Sequence, residues 1–181
     1  MEHPFSPLPR ARRGFTLIEL LVTVAVIAIL AAILVPATHS AIVASHKSKA
    51  RREINDIAGA VKAYFAEYNK MPVKQGNGKA DCNSSGKPEI LPILRAESAY
   101  DDWNPKGIAF LAASIDGTDP WGHAYVVILD ANFDDTISRD ADSILSDDLH
   151  AKVAVYSLGP NGKLDSRNSR RGDDITTWGG K

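Results

Sequence analysis

The chain has 181 residues, 44% of them hydrophobic, and its 21 Lys and Arg nearly balance 22 Asp and Glu for a net charge of -1. That leaves room for one modest domain beside a membrane segment, and the near-neutral balance gives no footprint for nucleic acid. A single cysteine, Cys82, excludes an internal disulfide and the usual four-ligand zinc sites built on cysteine.

Residues 1–14 carry Pro4, Pro7 and Pro9 and no helical period, so they read as an extended leader outside the fold. The leader sets Arg10, Arg12 and Arg13 against Glu2, and its removal leaves a mildly acidic product. From Phe15 to Val35 the chain is apolar, with Glu19 as its one ionisable side chain. At about 1.5 Å per residue this run makes a helix of about 30 Å, enough to cross the hydrocarbon core of a bilayer. A carboxylate there costs at least a few kcal/mol, so Glu19 needs a cation. Arg12 and Arg13 reach it if the helix begins before them. If the chain is cut between Gly14 and Phe15, the new Phe15 amine is that cation, and in a neighbouring copy it can meet Glu19 without distortion.

Two plainer readings compete. A secretory signal has an apolar segment of ~7–15 residues ending at a small-residue site; this run is longer, and Val35-Pro36-Ala37 is a poor such site. A single-span anchor fits the length and the placement of the arginines, but gives no reason for Glu19.

Arg12-Arg13-Gly14-Phe15-Thr16-Leu17-Ile18-Glu19 resembles the processing site of type IV prepilins and type II secretion pseudopilins. The resemblance implies that a prepilin peptidase cuts after Gly14, that Phe15 is then N-methylated, and that Glu19 guides subunits into a helical filament. Pro36 stands where such helices carry a kink-forming proline.

Beyond Pro36 the sequence stays helix-compatible but turns polar, and Ile54, Ile57, Ala58, Val61, Tyr64, Phe65 and Tyr68 recur at three- and four-residue steps. That spacing predicts one buried helical face, with the helix stopping near Asn69, before Met71-Pro72. The predicted organisation is a leader over 1–14, a membrane and filament-core helix over 15–36, the amphipathic half of that helix over 37–69, and a globular domain over 70–181. Lys47, Lys49, Arg51 and Arg52 form a basic collar, read as a solvated face with lipid head groups as the alternative. His39 and His46, seven apart, have no carboxylate or cysteine near them in sequence and read as a solvated face rather than a metal pair.

Residues 73–87 read as a loop, with the short sequon Asn83-Ser84-Ser85 in it. Ile90–Leu94 and Gly107–Ala113 are short apolar pieces expected to form turns and a short helix over a sheet. Asp119-Pro120-Trp121-Gly122 signals a turn, and Tyr125–Leu129 and Ala151–Ser157 read as strands, antiparallel neighbours joined by a long acidic loop. The expected fold is α+β: a long N-terminal helix packed on a small antiparallel sheet.

Asp119-Pro120-Trp121-Gly122-His123-Ala124-Tyr125 resembles the Asp-Pro-Trp-Gly-x-x-Tyr of major pseudopilins of type II secretion. Val155–Lys163, then Gly172-Asp173-Asp174-Ile175 and Trp178, resemble their closing segment. In those proteins that segment folds around a calcium ion. Carried over, the ligands are the Leu158 carbonyl, Asn161, the Lys163 carbonyl, Asp173 and Asp174, with Asp165 as a possible substitute. Here Asn161 replaces the usual aspartate and the link 164–171 is longer and basic, with Arg167, Arg170 and Arg171, so weaker binding is expected. Asp130-x-Asn132-x-Asp134 echoes an EF-hand, but position six is Asp135 and position twelve Ala141, so a solvated acidic loop is expected, with Asp140 and Asp142 nearby.

No catalytic motif is present: there is no Gly-x-Ser-x-Gly, phosphate-binding glycine loop or His-Glu-x-x-His, and His123 and His150 suggest no nucleophile and base. The resemblance therefore implies a non-enzymatic structural subunit of a pseudopilus, single-pass in the bacterial inner membrane with its C-terminal domain in the periplasm. Its implied partners are further copies of itself, the prepilin peptidase, the inner-membrane secretion platform, minor pseudopilins, and lipid before assembly. The alternatives are a type IV pilus subunit, against which the lone Cys82 counts, and a non-assembling membrane-anchored module that binds calcium or another ligand.

Overall fold

A computed structural model describes residues 14–73, 82–83, 90–97, 100, 102–130, 132–139, 144–165 and 172–178. The leader 1–13, the remainder of the sequon, Asp140–Asp142 and the arginines of 166–171 lie outside them. The chain divides into two compact units, Met1–Val43 and Ala44–Lys181.

The first unit is helical from Leu17 onward, the start of α1 (Leu17–Tyr68), which continues through Pro36. An 18-residue stretch, Leu17–Leu34, is long and apolar enough to cross a membrane, and none of it is buried within the fold. Leu17, Ile18, Leu20, Leu21, Ile27 and Ile33 are more than half exposed. An apolar surface of this kind is stable only against lipid or other apolar helices.

In the second unit α1 is amphipathic. Ala50, Ile54, Ile57, Ala58, Ala60, Val61 and Tyr64 are buried, with Phe65 and Tyr68 packed at the edge, which is the face the three- and four-residue spacing predicts. Each large side chain buried there contributes about 1.5–3 kcal/mol. The helix ends at Tyr68. Asn69 takes a left-handed conformation at φ 50°, its N–H donating to the Phe65 carbonyl, and Pro72 prevents resumption.

Among the described residues the sheet has four strands in the order β1 (Cys82–Asn83), β2 (Val126–Leu129), β3 (Val153–Ser157) and β4 (Ile175–Thr176), all antiparallel. Val126 pairs with Tyr156 and Leu129 with Val153, so the two strands read from sequence are neighbours as expected, each one or two residues shorter at its start. Two-residue β1 and β4 fall where only a loop and a closing segment are expected, being too short to show a period. Of the two short apolar pieces, Ile90–Leu94 is a helix, α2; Gly107–Ala113 is irregular, with the Phe110 and Leu111 N–H groups donating to the Leu94 carbonyl.

One face of the sheet, Val127, Leu129, Val153, Val155 and Ile175, packs with α1 and α2. The other face is also covered. Val126, Ile128, Ala154 and Tyr156 form a second apolar cluster with Ile137 and Leu145, flanked by Ile144, Leu149 and Trp178. Described residues of the long connection, Ile137 in the stretch expected to be a solvated acidic loop and Leu145 beyond it, thus lie over the sheet, with an Ile137–Leu149 bridge making both backbone hydrogen bonds.

Candidate functional site

At the start of α1, Gly14, Phe15 and Thr16 are non-helical and exposed. Among the described residues, a Cβ on Gly14 would meet nothing within 4 Å. Phe15 is 76% exposed. Thr16 and Glu19 form a reciprocal cap: the Thr16 N–H and hydroxyl donate to Glu19 Oε2 at 2.9 and 2.6 Å, and the Glu19 N–H donates to Thr16 Oγ1 at 3.3 Å. This is a Thr-x-x-Glu capping box, a local pattern that the three-residue spacing of Thr16 and Glu19 makes legible in the sequence. It supplies hydrogen bonds but no cation. The helix begins at Leu17, and Arg12 and Arg13 lie outside the described residues. Phe15, Ile18, Glu19, Val22 and Thr23 line one helix face.

In the second unit, Asp119 organises the turn. The Gly122 N–H donates to the Asp119 carbonyl at 2.9 Å with Pro120 inside the turn, and Gly122 sits at φ 91°. Asp119 Oδ1 accepts the Trp121 and His123 N–H groups at 3.0 and 2.8 Å, and Oδ2 accepts the Ser157 hydroxyl at 2.6 Å. His123 Nδ1 lies 3.6 Å from Oδ2. Ser157 therefore bonds the carboxylate and not the imidazole.

The closing loop follows. The Asn161 N–H and side-chain amide donate to Asp173 at 3.2 and 2.6 Å, and the Lys163 N–H donates to Asn161 Oδ1 at 2.6 Å. The Asp173 N–H donates to Asp165 at 2.6 Å, and the Asp165 N–H to Asp174 Oδ2 at 2.9 Å. The bond from the Asp173 N–H holds the Asp165 carboxyl below its ordinary range. Burial, aided by the charges of Asp165 and Asp173, pushes Asp174 up. Asp174 Oδ1 is buried and has no hydrogen-bond partner among the described residues.

Sequence reasoning brings together Asn161, Asp165, Asp173 and Asp174, and they are neighbours here. Among the described residues, however, no three His, Cys, Asp or Glu side chains converge as a metal cage. The donors on hand are oxygens, which suit a hard cation, and the unpartnered Asp174 oxygen is the kind of group that one satisfies. The Asn161 amide donates its N–H to Asp173 and its oxygen accepts the Lys163 N–H, so the oxygens that suit a cation here are the carboxylates of Asp165, Asp173 and Asp174. The EF-hand echo is a self-satisfied loop: buried Asp130 accepts the Phe133 and Asp135 N–H groups, both at 2.8 Å, and Asp135 pairs with Lys152.

Residues 9–35 match the prokaryotic N-terminal methylation motif. The chain is 28% identical over 170 residues to type II secretion system core protein G of Escherichia coli K12, covering 93% of this chain and 92% of that protein. It is 26% identical over 172 residues to the protein of that name from Dickeya chrysanthemi, covering 94% and 89%. Fimbrial protein EcpC of Eikenella corrodens is 34% identical over 80 residues, 44% of this chain and 52% of that one. No solved structure matches the chain.

Proposed function

We propose that this chain, similar over most of its length to core protein G of type II secretion, is a type IV pilin-like structural subunit of a secretion pseudopilus. Prepilin peptidase hydrolyses the Gly14–Phe15 bond, freeing an amine at Phe15 that is then methylated. The processed subunit leaves the inner membrane sideways into a filament built from its apolar helices, with its C-terminal domain in the periplasm. The secretion platform and minor pseudopilins are its further partners, and its role is mechanical rather than catalytic. The observation that carries this is Glu19, a carboxylate on a helix whose apolar side chains are exposed on every side, four residues from the Gly14–Phe15 bond. In the precursor Thr16 caps it; in the filament, the amine of a neighbouring copy neutralises it. A type IV pilus subunit is the second reading, supported by the likeness to a fimbrial protein, which spans under half of this chain.

Glu19→Ala tests the proposal. The variant should insert as well as wild type, since a charge is removed from the apolar span, while the ladder of crosslinked multimers disappears. An unchanged ladder would remove Glu19 from assembly.

Calcium belongs to the same reading. Asp173, Asp174 and Asn161, with the carbonyls of Leu158 and Lys163 and Asp165 beside them, are the residues that would hold it. Its charge would offset three crowded carboxylates and satisfy Asp174 Oδ1. Chelation should lower the thermal midpoint by several degrees, as loss of a ligand bound only by the native state does; an unmoved midpoint contradicts it.

A further inference from the structure

A buried hydrogen-bond chain joins the Asp-Pro-Trp-Gly turn to the closing loop. Asp119 and Ser157 are both buried. Ser157 donates its hydroxyl proton to Asp119 Oδ2 at 2.6 Å, and its oxygen accepts the Gly159 N–H at 3.0 Å. Gly159, at φ 64°, lies so close to the backbone of Asp173 that a Cβ would come within 2.4 Å of the Asp173 carbonyl oxygen. Gly162, at φ 63°, lies equally close to His123, whose Nε2 would be 2.3 Å from a Cβ there. The turn therefore meets the loop at two places, and one of them is where the loop rests against Asp173.

We infer that Asp119 and Ser157 are positioning residues that set the affinity of the closing-loop residues Leu158–Asp165 and Asp173–Asp174 for a cation without touching the ion. The inference rests on the calcium reading above. A serine hydroxyl has one proton and two lone pairs. Giving the proton to a carboxylate fixes its rotation and aims a lone pair at Gly159, so Gly159 and the Asp173 backbone stacked on it are held before any ion arrives. A loop ordered in advance loses less freedom on binding. Groups that orient metal ligands from behind typically change affinity by about 10–100-fold.

The test is calcium titration of the thermal midpoint of the full chain in detergent, against a chelator baseline. Ser157→Ala should weaken calcium binding about tenfold or more, and Ser157→Thr, which keeps the hydroxyl, should restore it. If Ser157→Ala instead lowers the calcium and chelator midpoints in parallel, leaving their difference as in wild type, Ser157 is merely structural and the inference is overturned. Amide exchange on the wild-type chain reads the same coupling without a substitution. Because coupling between sites is reciprocal, calcium should slow exchange at the Trp121 and His123 N–H groups that Asp119 accepts, and unchanged exchange there overturns it. A wild-type midpoint indifferent to calcium would instead overturn the calcium reading itself, and the inference with it.

Discussion

Replacing Tyr125 with phenylalanine removes one oxygen from the fold, and its surroundings indicate the cost. The Tyr125 ring is fully buried, and its hydroxyl donates to Glu53 Oε2 at 2.5 Å, while Lys49 lies 3.7 Å from the other oxygen. Burial, with the Glu53 hydrogen bond, pushes the Tyr125 phenol well above its ordinary value. Tyr125→Phe would strip a charged acceptor of its best donor in a largely buried place, for an expected loss of about 1–3 kcal/mol. The shift in urea midpoint measures it, and an unmoved midpoint would mean that water replaces the phenol at no cost. Residues of this kind were only half legible in the sequence. Tyr125 announces itself as part of a strand beside a recognisable turn, but nothing in the spacing says that its partner lies 72 positions away on the helix. Asp119 and Ser157, 38 residues apart, were hidden for the same reason. Thr16 and Glu19 are three residues apart, and their cap needed only a local rule.

Among the elements, α1, β2 and β3 declare themselves because each has a period long enough to count: apolar steps of three and four along Ile54 to Tyr68, and β-branched runs in the strands. The two-residue strands β1 and β4 have none, and only pairing with longer neighbours makes them strands. The acidic connection misleads for a different reason. Asp134, Asp135, Asp147 and Asp148 are exposed and dominate its composition, while Ile137, Leu145 and Leu149 are scattered among them without alternation. Those few apolar residues nevertheless cover the outer sheet face, with Ile137 and Leu145 almost wholly buried. Ile137→Ala should therefore cost about 2–5 kcal/mol, as for a core position. Reversible denaturation of the full chain decides it; a change within about 0.5 kcal/mol, typical of surface sites, would show that the segment is only a solvated loop.

At the scale of the whole molecule, two units have opposite needs. The second buries apolar residues on both faces of a sheet. The first has an apolar helix that is exposed among the described residues, and one carboxylate that accepts hydrogen bonds from Thr16. Lipid can satisfy the apolar side chains, but Glu19 held away from water as a carboxylate needs a positive charge beside it. On the proposed function, cutting after Gly14 would create that charge at the position from which another copy can present it, and this step would make a membrane protein into a building block. The intact mass and N-terminal sequence of the chain extracted from membranes test this directly. The account predicts a polypeptide that begins at Phe15 and carries one added methyl group on its amine. A chain that begins at Met1 with its arginines in place would contradict it.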